Sequence, residues 1–353
     1  MTRIATLISI SFATALACGT ALAAPKRADG LVNPHPRAAP NFGLRPNVTR
    51  ATGLPTWTNS WATGNTTYSI TLIGNQPSTN TTTTIPTYII PIKLVVAGKT
   101  FSPEEKLSNH QTVIQNIIDS PLFSTGIDFS AGGVSFGDSQ YIDAYTRGNF
   151  GLALIFDPNW HTVFGNPIIT TVQTIKVPSA DGRIAAPFGI NSPVVSYPWM
   201  QTQLPAILSK LNIPTNALPI FITAQTYLLN SDLSTGCCIG GYHTYTGTWT
   251  YAYATSALHA NTYAEDVDVL SHELGEWQMD PFVNNNTPCG LLEVGDPLEG
   301  GANYGTYPYV LNGFTYHIQD LVMLPYFEDA QSDTPNNIYT FQGQSITACQ
   351  NGQ

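Results

Sequence analysis

Residues 271–281, SHELGEWQMDP, contain three side chains whose spacing suits a metal ion and a bound water molecule. His272 and Glu276 are four residues apart, so on a helix they lie on adjacent turns of one face and can bind one ion. Glu273 lies beside them, one residue round the helix, and is free to take a proton from the water. The segment therefore predicts a metal site in which Glu273 is the catalytic base.

The same residues also suit a surface helix with a polar face. An apolar stripe runs from Val267 to Trp277. Asp268, His272 and Glu276 follow each other on the opposite side, as polar residues do on any surface helix. An HExxE string is also a weaker signal than HExxH. The helix alone therefore leaves the metal site and the surface helix as alternatives.

The carboxylates around this segment have few cationic partners in the sequence. After Lys210 the remaining 143 residues contain no Lys or Arg but 14 Asp and Glu, of which 12 fall between Glu265 and Asp329. Like charges in a poorly solvated site raise each other's pKa, so a fold that gathers them needs water, protons or a cation. An acidic habitat would supply protons. A bound ion, zinc or another divalent cation, would also meet this need.

Further ligands must come from outside the helix. The segment LLEVGDPLEG offers Glu293 and Asp296, although capping and turn roles suit both residues equally well. His243, in GCCIGGYH, is a competing donor. His317, in YHIQDLVMLPYF, is a candidate hydrogen-bond donor to a developing oxyanion, and the start of a core-facing aromatic helix explains it equally well.

The bounds of the helix follow from its end signals. Thr262 and Glu265 form a capping-box pattern, and Pro281 marks the other end, so the helix is predicted to begin near Thr262. Gly275 in mid-helix costs about 1 kcal/mol relative to alanine, so another group is expected to approach closely there. Strand patterns precede the helix, and the mixture of elements predicts an α+β fold.

The N-terminus has the pattern of an exported protein. Arg3 precedes an apolar run that ends in Ala21-Leu22-Ala23, so residues 1–23 are predicted to be a signal peptide. Residues 24–60 are predicted to be an extended Pro-rich leader or removable pro-segment, and residues 61–353 a single domain. No later apolar stretch is long enough to cross a bilayer. The mature chain is therefore expected in the periplasm or outside the cell.

The cysteines and the charge bound the partners and the covalent framework. In an exported chain, cysteines favour disulfides over metal binding. Because adjacent cysteines rarely bond each other, we expect Cys237 and Cys238 each to pair with one of Cys289 and Cys349. Either pairing would bring His243 towards the helix. The formal charge of −10, without a basic cluster, excludes nucleic acid as the partner.

Several segments together resemble uncharacterised secreted bacterial proteins with a zincin-like HExxE helix. These segments are SQYIDAYTRGNF, GCCIGGYH, LSHELGEWQMDPF, LEVGDPL and FTYHIQDLVMLPYF, and they cover most of residues 130–330. A fainter resemblance runs to the plant exordium or phosphate-induced extracellular proteins. The resemblance implies a disulfide-stapled zincin-like domain with a mixed β-sheet, in which His272 and Glu276 bind zinc and Glu273 is the base. A carboxylate at position 276 makes the bound water less acidic, which implies weaker catalysis or another ion.

These observations predict a secreted metal-dependent hydrolase, with a peptidase as the preferred activity. Its substrate would be a peptide or another extracellular polymer, and Glu273 would activate the water. One alternative is a glycoside hydrolase that uses two carboxyl groups of the acidic region. Another is a non-catalytic extracellular cell-wall or carbohydrate-binding protein with a structural metal. Nothing in the sequence indicates the oligomeric state.

Overall fold

A mixed β-sheet with helices on both faces forms the part of the fold that contains the predicted site. The computed structural model describes residues 53–151, 157–229, 238–259, 265–299, 302–332, 337–344, 346 and 349, all within one compact unit. The predicted signal peptide and most of the predicted leader lie outside the described residues. Within these ranges, no helix combines the length and the apolar character needed to span a membrane.

Helices are few and mostly short. The described residues contain five α-helices, namely α1 (Val113–Ile118), α2 (Tyr141–Asn149), α3 (Tyr197–Lys210), α4 (Asp268–Met279) and α5 (Leu324–Phe327). Three 3-10 helices span Pro77–Thr79, Asp296–Leu298 and Ala302–Gly305. The predicted metal-binding residues of the HExxE string all lie on α4.

Strands make up most of the regular structure. In chain order they are β1 (Thr56–Thr63), β2 (Thr66–Ile73), β3 (Thr82–Ile85), β4 (Thr87–Val96), β5 (Lys99–Phe101), β6 (Ile127–Ala131), β7 (Val134–Ser139), β8 (His161–Phe164), β9 (Ile168–Ile169), β10 (Gln173–Lys176), β11 (Gly182–Ala185), β12 (Ser192–Ser196), β13 (Leu218–Ala224), β14 (Tyr227–Leu229), β15 (Gly241–Tyr245), β16 (Thr250–Ser256), β17 (Asn286–Thr287), β18 (Gly290–Leu291), β19 (Thr306–Leu311) and β20 (Phe314–Gln319). Together with the helices, they confirm the predicted α+β class.

The largest sheet has seven strands in the order β10-β4-β13-β16-β15, with β5 and β9 also paired to β4. Strands β10, β4, β13 and β16 run parallel, whereas β15 is antiparallel to β16. The sheet is therefore mixed, and β15 lies at its end among the described strands. The register of this last pair sets His243 opposite Ala252.

The two faces of this sheet pack against different helices, because side chains alternate along each strand. Small and branched residues of β13 and β16 share one core with α4, including Ile220, Ile222, Ala252, Ala254, Leu270, Leu274 and Trp277. Large aromatic residues of the same strands share the opposite core with α3, including Met200, Leu204, Phe221, Tyr251 and Tyr253. In β15, Tyr242 belongs to the α3 side. Alternation therefore directs Gly241 and His243 towards α4.

The helix α4 is shorter than the end signals predicted. It begins at Asp268, and Val267 at its N-cap position makes no side-chain cap hydrogen bond. Thr262, where the sequence placed the start, lies outside the described residues. Glu265 forms an isolated bridge with Ala257 instead of entering a first helical turn. The capping-box prediction is therefore wrong, because Glu265 is held by strand-like pairing.

Gly275 faces a close neighbour, as its position in mid-helix predicted. A Cβ atom at this position would lie 2.5 Å from Cδ1 and 3.1 Å from Cδ2 of Leu321. Leu321 follows β20 in the chain, so the missing side chain lets the segment after β20 pack directly on α4.

The predicted disulfide pairings are wrong. Cys289 and Cys349 bond each other, with their Cα atoms 5.9 Å apart. This bond excludes both of them as partners of Cys238, which is itself in a disulfide. Cys237 lies outside the described residues. The prediction failed because spacing along the chain does not show which cysteines meet. His243 reaches α4 through the pairing of β15 with β16 and not through a disulfide.

Regular structure among the described residues begins before the predicted boundary at residue 61. Strand β1 contains residues 56–60, which lie within the predicted leader. It pairs with β2 in an antiparallel register that runs from Thr56 opposite Ile73 to Thr63 opposite Thr66. The paired region therefore extends N-terminal to the domain boundary that the composition suggested.

Candidate metal centre

The helix α4 is enclosed by protein, so the alternative of a surface helix is wrong. His272 is 1% exposed, and Glu273 and Glu276 are 0% exposed. The helix packs against β15, β16 and β20, and Trp277 Nε1 donates a 2.8 Å hydrogen bond to Thr250 Oγ1. Buried ionisable groups are costly unless they are paired or bind a metal. The polar side of α4 therefore needs partners inside the protein.

Gln319 fixes the orientation of the His272 ring. Its side-chain Nε2 donates to the carbonyl oxygens of Gly295, at 3.2 Å, and Tyr304, at 3.0 Å. The amide oxygen Oε1 of Gln319 is thereby turned to the ring and accepts a hydrogen bond from Nδ1 of His272. With its proton on Nδ1, the neutral ring keeps a lone pair on Nε2. Hydrogen bonds of this kind orient histidines that bind metals.

His243 is held in a similar way from the other side. Its Nε2 donates to the backbone carbonyl oxygen of Asp280 at 3.0 Å, at the C-terminal end of α4. Its Nδ1 lies 3.5 Å from Oε2 of Glu273 and 3.5 Å from Oε2 of Glu276. Among the described residues, this Nδ1 has no hydrogen-bond partner. In its neutral form the ring therefore presents a lone pair to the carboxylates of α4.

Glu276 lies between the two imidazole rings. Its Oε1 is 3.1 Å from Nε2 of His272 and accepts a 3.2 Å hydrogen bond from the backbone amide of Gly295. These two side-chain atoms are not aligned for a hydrogen bond, and Nε2 of His272 has no hydrogen-bond partner among the described residues. Two ligand atoms that each lie about 2.1 Å from one ion are roughly 3.4 Å apart in tetrahedral geometry. The observed spacing fits two atoms that share an ion.

The loop after β18 brings three more carboxylates to the rings. Oε2 of Glu293 is 3.8 Å from Nε2 of His243, and Oδ1 of Asp296 is 3.7 Å from Nε2 of His272. Oε1 of Glu299 is 3.7 Å from Nδ1 of His272. Glu293 and Glu299 are buried, and the side chain of Asp296 is 34% exposed. Asp296 therefore marks the side of the cluster that faces solvent.

Backbone contacts fix this loop and the neighbouring strand. The amide of Val322 donates to the carbonyl of Val294 at 2.8 Å. On the other side of the cluster, a Cβ atom at Gly241 of β15 would lie 2.7 Å from Oε1 and 2.8 Å from Cγ of Glu273. Glycine at position 241 therefore lets the sheet approach α4 closely enough for Glu273 to fit.

Several buried oxygen atoms of the cluster lack hydrogen-bond donors. Within the described ranges this holds for both carboxylate oxygens of Glu273 and Glu293, for Oε2 of Glu276 and for Oε1 of Glu299. No Lys or Arg forms an ion pair with these four residues in the described part of the chain. Unsatisfied buried carboxylates are rare in folded proteins. Two imidazole lone pairs and several acidic oxygens in one place form a donor set that suits zinc or another divalent cation.

Charge interactions within the cluster shift the pKa values of the two imidazoles. Burial lowers the pKa of His243, but Glu293, Glu273 and Glu276 outweigh burial and raise it well above its usual range. Burial likewise opposes the charged form of His272, and Glu276 is the main group that raises the pKa of its ring. The protein without an ion therefore uses protons on both rings to offset carboxylate charge, and a bound cation would replace them.

The pKa values of the carboxylates diverge. Burial raises the pKa of Glu273, Glu293 and Glu299. Burial acts in the same direction on Glu276, but His272 and His243 outweigh it and lower the pKa of Glu276. Glu276 is thus the carboxylate that the two rings hold in its charged form.

Comparison with protein-family models, with curated proteins and with solved structures finds no match to this chain. The function must therefore be inferred from the geometry of the cluster. The structure brings together all of the predicted metal ligands and the predicted base, namely His243, His272, Glu273, Glu276, Glu293 and Asp296.

His317 has a different set of partners. It lies in β20, not at the start of a helix, and its Nδ1 is 2.7 Å from Oδ2 of Asp266 and 3.7 Å from Oε1 of Glu265. Its backbone amide also donates to Oδ1 of Asp266 at 2.9 Å. The charged contacts of His317 among the described residues are therefore with the segment before α4. Its catalytic role stays a prediction.

Sequence reasoning missed two residues of the cluster, Glu299 and Gln319. Glu299 lies three residues after Asp296, at the end of a 3-10 turn, where side chains three apart point the same way. That spacing within LLEVGDPLEG was a signal for Glu299. Nothing in the local sequence distinguishes Gln319, because its role depends on carbonyl groups from two other segments.

Proposed function

We propose that this protein is a secreted metal-dependent hydrolase with a zincin-like site, and that it cleaves amide bonds in peptides. One observation carries the proposal: Nε2 of His272 and Oε1 of Glu276 lie 3.1 Å apart without a hydrogen bond, beside the buried carboxylate of Glu273, which has no hydrogen-bond partner among the described residues. One enclosed helix would thus contribute two ligand atoms and a general base. The Cys289–Cys349 disulfide is consistent with an exported chain.

In the proposed reaction, His272 and Glu276 would bind the ion and Glu273 would transfer the proton. A cation held by His272 and Glu276, with Asp296 nearby, would supply a Lewis acid for water and for the substrate carbonyl. Glu273 would take one proton from the water as the water oxygen bonds to the carbonyl carbon. When the carbon–nitrogen bond breaks, Glu273 would pass that proton to the leaving nitrogen and regain its charge. Burial raises the pKa of Glu273, which makes its carboxylate a better base.

A structural ion in a non-catalytic extracellular protein is the second candidate. The observation that favours it is burial, since His272, Glu273 and Glu276 are at most 1% exposed and a substrate must reach them. The exposed part of Asp296 favours the hydrolase, because it brings one side of the cluster to solvent. The two candidates differ in whether the protein cleaves peptides and, if it does, Glu273 should be required for turnover.

A matched pair of variants tests the proposal. Purified full-length protein would be loaded with zinc, its metal content measured by mass spectrometry, and its activity assayed on a peptide library. Glu273→Gln should lower turnover by about 10²-fold or more without changing the zinc content. Glu104→Gln is the control, because this exposed glutamate pairs with Lys93 far along the chain from the site. Full activity of Glu273→Gln, or of chelated protein, would overturn the hydrolase proposal.

A further inference from the structure

We propose that the cluster binds two divalent cations and that Glu276 bridges them. The first position is the one at His272, so the inference rests on the proposed function for that ion alone. The second position is formed by His243, Glu276 and Glu293, of which one ligand atom each lies within 4.8 Å of the others. Oε2 of Glu276 is 3.5 Å from Nδ1 of His243, and Oε2 of Glu293 is 3.8 Å from Nε2 of the same ring.

The two oxygen atoms of Glu276 face different imidazole rings. Oε1 is 3.1 Å from Nε2 of His272, and Oε2 is 3.5 Å from Nδ1 of His243. If Glu276 bound one ion through both oxygens, both oxygens would lie near the same imidazole nitrogen. Two-metal sites instead use shared ligands to hold ions about 3.5–4 Å apart. The orientation of Glu276 matches a bridging ligand.

The second position has its own preorganised nitrogen ligand. The hydrogen bond from Nε2 of His243 to the carbonyl of Asp280 fixes the ring and leaves Nδ1 facing Glu276. His243 is 3% exposed, and this Nδ1 makes no hydrogen bond within the described residues. His243 lies on β15 and is oriented by the carbonyl of Asp280, whereas His272 is oriented by the amide oxygen of Gln319 on β20.

The second position also has its own buried carboxylate. Glu293 is 5% exposed, and neither of its oxygens has a hydrogen-bond partner in the described part of the chain. Glu299 and Asp296 lie instead near His272. The loop after β18, called the acidic loop for its residues Glu293, Asp296 and Glu299, therefore supplies separate carboxylate oxygens near the two rings.

Charge balance also favours two ions over one. Two neutral rings and the four buried carboxylates Glu273, Glu276, Glu293 and Glu299 carry up to four negative charges when all are ionised. One divalent ion leaves two of these charges, and two divalent ions leave none. Because uncompensated buried charge is strongly unfavourable, the second ion completes the neutralisation that the first begins.

Metal stoichiometry tests the inference independently of activity. Metal-free full-length protein would be titrated with Zn²⁺ by calorimetry, and the bound zinc would be counted by mass spectrometry after gel filtration. We expect two ions per chain in the wild type and one in Glu293→Gln, which keeps the size and shape of the side chain. Glu104→Gln should keep both ions. Loading with Mn²⁺ adds a spectroscopic measurement, since two ions that share a carboxylate should give a spin-coupled electron paramagnetic resonance signal.

Each outcome separates this inference from the proposed function. Two ions in the wild type and one in Glu293→Gln support the bridge, even if no peptide is cleaved. One ion in an active wild type would overturn the second position and leave the hydrolase standing. Two uncoupled Mn²⁺ ions would overturn the bridge. If Glu293→Gln does not fold by circular dichroism, His243→Gln serves instead, and the wild-type stoichiometry still decides.

Discussion

The backbone of Gly295 lies directly against the imidazole ring of His272. A Cβ atom at position 295 would lie 2.6 Å from Cε1 and 2.8 Å from Cγ of the ring. The same glycine donates its amide to Glu276 and accepts a hydrogen bond from Gln319 at its carbonyl. The loop after β18 therefore forms one wall of the candidate metal centre through its backbone, and glycine is the residue that this contact allows.

Gly295→Ala should displace the His272 ring and weaken metal binding. We expect the dissociation constant for Zn²⁺ to rise by about 10-fold or more, because misplaced ligands lose the geometry that the ion needs. Calorimetric titration of the metal-free protein would measure this change. Gly98→Ala controls for a general loss of stability, since a Cβ at Gly98 meets nothing within 4 Å while its φ of +78° strains alanine. Equal zinc affinity in both variants would show that the contact between Gly295 and the His272 ring does not position the ligand.

Gln319→Leu should weaken metal binding without removing any ligand. The substitution takes away the acceptor that holds the proton of His272 on Nδ1, and hydrogen-bond partners of this type contribute about 10–100-fold to metal affinity. The tautomer of His272 can be followed by ¹⁵N NMR, and we expect a mixed or inverted tautomer in the variant. An unchanged tautomer together with unchanged affinity would rule out an orienting role for Gln319.

The convergence of His272 and Glu276 on one face of α4 could be predicted from the sequence, because it depends on spacing within one helix. His272 and Glu276 at four-residue spacing meet at one point, and Gly275 does receive a close neighbour. The long stretch without Lys or Arg also predicted that carboxylates would meet without cationic side chains. These features are local or compositional, so they do not require knowledge of the tertiary fold.

The remaining parts of the site depend on contacts between distant segments. Gln319 acts through carbonyl groups of Gly295 and Tyr304, which no sequence spacing connects to it. His243 reaches the cluster through the register of β15 on β16, not through the predicted disulfides. The burial of α4 on all sides likewise follows from packing against β15, β16 and β20. A helical period alone does not distinguish such a helix from one at the surface.

The ion pair between His317 and Asp266 should make stability depend on pH. The hydrogen bond that Nδ1 of His317 donates to Asp266 raises the pKa of His317; burial opposes this rise, and the charges of Glu265 and Asp268 add to it. The folded state thus binds the proton more tightly than the unfolded state. The stabilisation is fully present below the unfolded-state pKa of about 6.5 and is lost as pH rises through the higher folded-state value.

His317→Gln should therefore lower the free energy of unfolding at pH 5.5 by on the order of 1 kcal/mol, and by less at pH 9. Guanidinium titrations of both proteins in a chelating buffer at the two pH values would measure the difference. The exposed residue His110 provides the control His110→Gln. A deficit of His317→Gln that is the same at both pH values would show that its cause is packing and not the charged pair.

Removal of metal should lower the thermal stability of the whole unit, because the cluster joins β15, α4 and the acidic loop. A ligand present at 100 times its dissociation constant stabilises the folded state by about 2.7 kcal/mol. Differential scanning calorimetry with added Zn²⁺ and with a chelator should show a lower Tm in the chelated sample. The difference should shrink in Glu276→Gln, since this variant removes the charged carboxylate that contacts both rings. A Tm that does not respond to Zn²⁺ in the wild type would mean that the buried carboxylates are balanced by protons alone, and the metal centre would have to be abandoned.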